Sequence, residues 1–268
     1  MASTKPESLP YPLKRNAIAS TRLNFNHFWM KSLAGYLLHP KIATNKEGLR
    51  IIDVGTGTGI WAGEMAKALP HAKFDAVDIS ADQYPPEAFR YSNTSFWTHD
   101  CFEPFPDEYI GAFDIVNIRF WLCIINDDVA EKLTKNFLTL LKPGGYLQWF
   151  EPQPDTAHVV SRNGGKPTPG CEKLTQQWKK PTPKSSYEWV HKLPETFKSH
   201  GLTVEAEDYL KNPEHFYPIA AQTVLMGLAE YLYSNPGIEV YQEQLASEHA
   251  EGAYVDLTWA CFVARKPL

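Results

Sequence analysis

Between Leu49 and Ile60 the chain reads Leu-Arg-Ile-Ile-Asp-Val-Gly-Thr-Gly-Thr-Gly-Ile. An apolar run ends in an acid, three glycines alternate, and a helical pattern begins. This predicts a strand, a tight turn and a helix start. Glycine accepts positive φ and leaves room for ligand atoms beside the backbone, and free N–H groups at a helix start attract nucleotide-like ligands. The following segments keep the same alternation. Strand 49–54 leads to helix 60–69, strand 73–78 to an element broken by Pro85 and Pro86, and strand 94–98 to a loop holding Pro104 and Pro106. Strand 112–118 leads to helix 127–140; Lys142-Pro-Gly-Gly makes a turn, and strand 146–151 follows. Strands alternating with helices imply a mostly parallel sheet covered on both faces, an α/β fold.

The flanks are less regular. From Asn16 to Leu38 apolar residues recur at helical spacing until Pro40 stops them, an appendage ahead of the first strand. The stretch from Pro152 to Pro183 is rich in proline and glycine and shows no period, so it is expected to be a long excursion over the ligand side. Helical patterns return at 185–200 and 218–233, and strands at 203–210 and 254–264 are expected to close the sheet as a hairpin-like pair. The expected organisation is a single domain over 1–268. It comprises a helical lid (13–48), a ligand-binding core (49–151), a substrate-side excursion with helices (152–250) and a final strand (251–268).

Composition excludes several classes. The formal net charge is −5, and Lys179, Lys180 and Lys184 lie among prolines as a solvated loop, so no nucleic-acid partner is expected. The first residues are polar and proline-rich, with no apolar core of a signal peptide. The longest apolar stretch, 112–125, is interrupted by Asp114, Asn117 and Arg119 and is too short to span a membrane. Cys101, Cys123, Cys171 and Cys261 form no C-x-x-C, which points away from zinc and toward free thiols in a reducing, cytoplasmic compartment. None of the nine histidines lies in H-E-x-x-H, and no metal is expected.

In such sheets ligands lie at the carboxyl ends of the strands. Asp53 and Gly55 to Gly59 follow the first strand, Asp78 follows the second, and Asp100 the third. An acid at the second strand end can accept both ribose hydroxyl hydrogens. One at the third can accept from an adenine amino group while the next backbone amide donates to a ring nitrogen. The plainer reading of each is a cap or a solvated acid. The dinucleotide pattern G-x-G-x-x-G would need glycine where Ile60 stands, and no Walker lysine is present.

Asp53-Val-Gly-Thr-Gly-Thr-Gly, Asp78, Asp100 and Leu141-Lys-Pro-Gly-Gly-Tyr-Leu together resemble the class I S-adenosylmethionine (SAM) dependent methyltransferases, from about Leu49 to Glu151. The motif's extension through Ile60-Trp-Ala62 narrows the likeness, as do Arg22-Leu-Asn-Phe-Asn-His27, Leu38-His-Pro40 and Asn117-Ile-Arg119. With these the chain is similar to fungal secondary-metabolism methyltransferases, the group that contains velvet-associated regulators and pathway-cluster enzymes. The resemblance implies a Rossmann-like fold with a mostly parallel seven-stranded sheet, an N-terminal helical lid, and SAM as cofactor. It places Gly55, Thr56 and Gly57 beneath the methionine part, within a loop completed by Asp53 and Gly59. Asp78, followed by Ile79, would hold the ribose, and Asp100 and Cys101 the adenine. Arg119 would face the methionine carboxylate or the substrate, and Arg22, Asn26 and His27 would close over the cofactor. Asn26 and Phe28 depart from the glutamine and second histidine frequent in the family.

Methyl transfer from a sulfonium is an in-line displacement, so the protein's main task is alignment. A hydroxyl or amide acceptor would also need a base. Glu151 at the fifth strand end, His191 and His158 are the candidates. Trp121, Trp149, Phe150 and Trp189 are candidate walls for a small, flat, apolar or aromatic acceptor. The competing readings are a regulatory relative without a small-molecule acceptor and a SAM-bound catalyst of another reaction, such as a cyclisation.

Overall fold

The computed structural model describes residues 14–180, 186–232 and 237–268. Lys184, the start of the helix expected from residue 185 and the end of the one expected to reach 233 lie outside them. Seven strands form one sheet in the order β3-β2-β1-β4-β5-β7-β6. Strands β1 (Arg50–Val54), β2 (Lys73–Asp78), β3 (Thr94–Thr98), β4 (Phe113–Arg119) and β5 (Leu141–Ser161) are parallel. Strand β7 (Ala253–Arg265) runs antiparallel between β5 and β6 (Thr203–Leu210). The sheet is therefore the mostly parallel, seven-stranded one expected. The chain steps outward from β1 to β3 and then returns to β4 on the other side of β1. That reversal separates the connections above β1 and β4 and opens a crevice at their carboxyl ends.

Strand alternation decides what covers each face. Ile52, Val54, Val116, Ile118, Leu147 and Trp149 turn to one side, where Leu133 and Phe137 of α3 (Asp127–Thr139) and Trp189, Leu193 and Phe197 of α5 (Glu188–Ser199) cover them. Ile51, Phe74, Ala76, Ile115 and Val263 turn to the other, beneath Trp61, Ala62 and Met65 of α2 (Ile60–Ala68). Most of these side chains are fully buried, and each contributes roughly 1.5–3 kcal/mol for the larger residues.

The N-terminal helix α1 (Ala17–Ala34) starts where the Asn16 side chain accepts the Ala19 N–H at 3.0 Å. It stops sooner than Pro40 suggested, because Gly35 takes a left-handed φ of 77° and its N–H closes on the Lys31 carbonyl. It packs on α6 (Tyr217–Leu232), to which it is joined by a buried Arg22–Glu230 ion pair and by Thr223 Oγ1 donating to Asn26 Oδ1 at 2.9 Å.

The stretch 152–183 differs from expectation. Strand β5 continues through Pro152 to Ser161, paired with β7 as far as Ala253, with a register shift between Gln153 and His158. Its pairing with β4 ends at Phe150, so prolines beyond that point interrupt no ladder on that side. Helix α4 (Pro169–Lys179) follows, and Glu248 of α7 (Gly237–Ala250) caps its start by accepting the Gly170 and Cys171 N–H groups at 2.7 and 2.8 Å. Neither helix is apparent in the sequence. The Lys142-Pro-Gly-Gly turn is an irregularity within β5. Strands β6 and β7 do pair, but with α6 and α7 between them in the chain. No helix among the described residues is long and apolar enough to cross a membrane.

Candidate functional site

The glycine turn is fastened from below and from the side. The Gly55 and Thr56 N–H groups donate to the Val77 carbonyl at 2.8 and 2.9 Å, tying the turn to β2. Gly55, Gly57 and Gly59 have φ of 71°, 56° and 71°, the left-handed region that glycine alone enters without strain. Asp53 lies buried under the turn, accepting Thr56 Oγ1 at 2.6 Å and Asn117 Nδ2 at 2.7 Å. Asn117 Oδ1 accepts Gln148 Nε2 at 2.9 Å; that amide also donates to the Leu37 carbonyl, and its oxygen accepts the His39 N–H at 2.7 Å. Register places Asp53 opposite Asn117 and Asn117 opposite Gln148. A buried polar row thus crosses three strands from the glycine turn to the segment after α1. Burial pushes the Asp53 carboxyl above its usual range, against the nearby Arg119 and its two hydrogen bonds.

Above the turn is a cavity of about 330 Å³. Of the residues singled out in the sequence, Asn26, His27, Gly55, Thr56, Gly57, Asp78, Ile79, Asp100, Cys101, Arg119 and Trp121 line it. Asp78 Oδ2 accepts the Gly57 N–H at 2.9 Å, so the β2 acid also sets the turn. Burial raises its pKa while the hydrogen bonds it accepts oppose the rise. Asp100 Oδ1 accepts the Phe102 N–H at 3.0 Å, closing a tight turn after β3. Burial pushes the Cys101 thiol well up, and it is the neutral form that faces the cavity. The Arg119 guanidinium stands 5.8 Å from the Trp61 ring centre, and its buried Nε has no hydrogen-bond partner among the described residues.

The other sequence candidates are elsewhere. Arg22 is engaged with Glu230, and Asp53 braces the turn from beneath. Gly59 caps α2 so close to Phe96 that a Cβ would approach its ring to 2.5 Å. Trp149, Phe137, Phe197 and Trp189 form one aromatic cluster between the sheet and α3 and α5, while Phe150 packs with Trp259 on the opposite face. His191 bonds Asp155 at 2.8 Å and Gln153 at 3.1 Å near the surface, and His158 is exposed.

Glu151 is fully buried and does not line the cavity. Its carboxylate accepts the Trp121 N–H at 2.6 Å, the Leu122 N–H at 3.2 Å and the Trp149 indole N–H at 2.9 Å. Burial raises its pKa to about 8, and the three donors only partly offset this. Just before these anchored residues, Phe120 has φ of 61°, the sole non-glycine residue with positive φ among those described. Such a conformation costs of order 1–3 kcal/mol and persists where its surroundings fix it. The Phe120 N–H on the Phe150 carbonyl (3.1 Å) and Glu151 on the next two amides supply that constraint. The kink turns Phe120 and Trp121 into the cavity wall. Leu23, Thr58, Gln83, His99, Phe102 and Ile124 also line it. Thr58 and Leu23 lie within the quoted motifs without being singled out there, and sequence offers no signal for the other four, each brought in by a loop.

The Trp121 indole donates to the Val54 carbonyl at 3.2 Å and packs against the turn; a Cβ on Gly55 would meet its Nε1 at 2.6 Å. Gly55→Ala is therefore expected to destabilise by about 1–3 kcal/mol through strain and overpacking. Denaturant melts would register it, and a change under about 0.5 kcal/mol would show that the tryptophan can move aside.

A doubly wound sheet with acids at two neighbouring strand ends around a glycine turn is an arrangement in which α/β domains place ligands. The chain matches the family described as methyltransferase domain over residues 25–207, well over half its length, and belongs to that family. It is similar to the N-methyltransferase tcpN of Claviceps purpurea (31% identical, over 51% of this chain and 50% of that protein). It is also similar to the methyltransferase grgD of a Penicillium species (32% identical, over 56% of this chain and 55% of that protein). The chain spans about half the length of the curated relatives it matches. Among solved structures, phosphoethanolamine N-methyltransferase 2 of Haemonchus contortus in complex with S-adenosyl-L-methionine superposes with a TM-score of 0.53 at 17% identity, covering 95% of this chain and 58% of that one. At that identity the likeness is one of fold.

Proposed function

We propose that this chain binds SAM in the cavity above the glycine turn and transfers its methyl group to a small apolar or aromatic acceptor of the secondary-metabolite type. The observation that carries the reading is the seating of Asp78: one carboxylate oxygen is fixed by Gly57, and the residue lines a cavity whose next strand end presents Asp100. Two acids one strand apart suit the two ends of a nucleoside, the ribose hydroxyls and the adenine amino group. The orphaned Nε of Arg119 is a buried donor suited to an acceptor group such as the carboxylate of the cofactor's amino-acid end. When bound, SAM supplies an electrophilic methyl group on a sulfonium.

The chain's own residues would then orient and exclude water. Leu23, Asn26 and His27 of α1 roof the cavity, and Phe120, Trp121 and Ile124 wall it where the acceptor would approach. Holding the two reactants in line accounts for most of the rate gain in such a transfer, up to roughly 7–11 kcal/mol. None of Glu151, His158 and His191 reaches the cavity. The acceptor is therefore one that needs no base from those three, such as a neutral amine with a free lone pair. The N-methyltransferase name of the Claviceps purpurea relative agrees with this.

Calorimetric titration tests the cofactor: SAM and S-adenosylhomocysteine are expected to bind and NAD not to, and the reverse would sink the reading. Incubation with methyl-labelled SAM and panels of amines, phenols and thiols tests the acceptor. Label appearing only on phenols would remove the base-free amine.

A further inference from the structure

The cavity's cationic end is held by a chain of three side chains from three elements. His27 of α1 is almost wholly buried. Its Nδ1 is 3.3 Å from the Arg119 Nη1 of β4, and its Nε2 is 2.8 Å from Glu64 Oε2 of α2. A guanidinium can only donate, so His27 Nδ1 must accept and carry no proton. The ring proton is then on Nε2, where Glu64 receives it. A second proton on Nδ1 would set donor against donor and cation against cation. Accordingly burial first, and Arg119 next, lower the His27 pKa to about 4, against the pull of Glu64. Lys31 pairs with the other Glu64 oxygen, leaving Oε2 to the histidine.

We propose that Glu64 is a positioning residue of the cofactor site: it locks His27 in the Nε2–H tautomer, and the bare Nδ1 aims the Arg119 guanidinium at the carboxylate of the bound cofactor. This rests on the SAM reading above. It assigns a function to a half-exposed helix residue outside the cavity, and it ties the lid helix to the helix that begins at the glycine turn.

The experiment compares wild type, Glu64→Ala, Glu64→Gln and Lys31→Ala in the full chain. Calorimetry would use two probes, S-adenosylhomocysteine and 5′-methylthioadenosine, which lacks the carboxylate. Nitrogen-15 spectra of the His27 ring would report its tautomer. Glu64→Ala is expected to weaken S-adenosylhomocysteine about tenfold, the scale of one charge-assisted hydrogen bond, and to leave 5′-methylthioadenosine unchanged. In the same variant only the longer Arg119 contact (3.3 Å) is left to fix the ring, so the His27 signals should move from pure Nε2–H to a mixture. Glu64→Gln keeps an oxygen acceptor and should restore both properties. Lys31→Ala should change neither. Equal weakening of both probes in Glu64→Ala, or an unchanged tautomer, would overturn the proposal. Failure of the wild type to bind either probe, with the tautomer still held by Glu64, would instead overturn the SAM reading.

Discussion

Replacing Glu151 with alanine is expected to lower the unfolding free energy by at least about 3 kcal/mol, since three buried N–H groups lose their acceptor at about 1–3 kcal/mol each. Two of them, on Trp121 and Leu122, belong to the turn that Phe120 enters with positive φ. The variant should therefore also bind S-adenosylhomocysteine more weakly, because Trp121 would no longer be held against Gly55. Urea denaturation measures the first effect, and a loss below about 1 kcal/mol would show that water replaces the carboxylate. The pH dependence carries a definite sign. Below pH 4.5 Glu151 holds its proton whether the chain is folded or not. Between pH 4.5 and about 8 the unfolded chain releases the proton while the folded chain keeps it. Rising pH through that window therefore erodes stability, and above about 8 no further loss accrues. Glu151→Gln, which imitates the protonated carboxyl, should remove this slope. An identical pH profile in the two proteins would mean that Glu151 is ionised throughout.

The second large effect is on binding. Asp78→Ala is expected to weaken S-adenosylhomocysteine about 100-fold, the combined loss of a charged acceptor for the ribose and of the anchor on the Gly57 N–H. Folding should lose no more than about 1 kcal/mol, because Gly57 lines the cavity, where water can replace the lost acceptor, and Gly55 and Thr56 still bond to the Val77 carbonyl. Thermal melts without ligand and calorimetry with it separate the two. Unchanged affinity would take Asp78 out of the ribose role, whereas a collapsed melting temperature would make it a structural residue.

The parts legible in the sequence were those set by local spacing. The glycine turn, the acids at the ends of β2 and β3, and the alternation of β1 to β4 with their helices all depend on neighbours a few residues apart. Strand direction misled in two ways. Glu151 does follow directly on the segment that pairs with β4, but the strand continues, and the pleat puts its side chain beside Trp149 on the α3 and α5 face rather than over the crevice. Pro152 and Pro154 look like breakers because the missing β4 neighbour at that height is not written locally. Trp149 and Trp189 are aromatic at plausible positions, yet aromatic identity does not distinguish a wall from a core. Helix α7 is not legible in the sequence because one of its three buried positions is Glu248, whose burial makes sense only once Gly170 and Cys171 are placed against it. Glu64 gave no sign because its role depends on two residues from other elements.

The row of Asp53, Asn117 and Gln148 also limits how this protein can change. Every polar atom the row uses is matched by another, in a neighbouring strand or in the turn and the segment at its two ends, so an apolar residue at any one of the three leaves its neighbour with a stranded donor or acceptor. Valine at 117 alone would strand both ends, while apolar residues at all three would also free the Thr56 hydroxyl and the His39 amide. Each single step from this row toward an apolar one therefore passes through a chain with a stranded buried group. The three positions are thus coupled physically, and a change at one end of the row is felt both at the glycine turn and in the segment after α1.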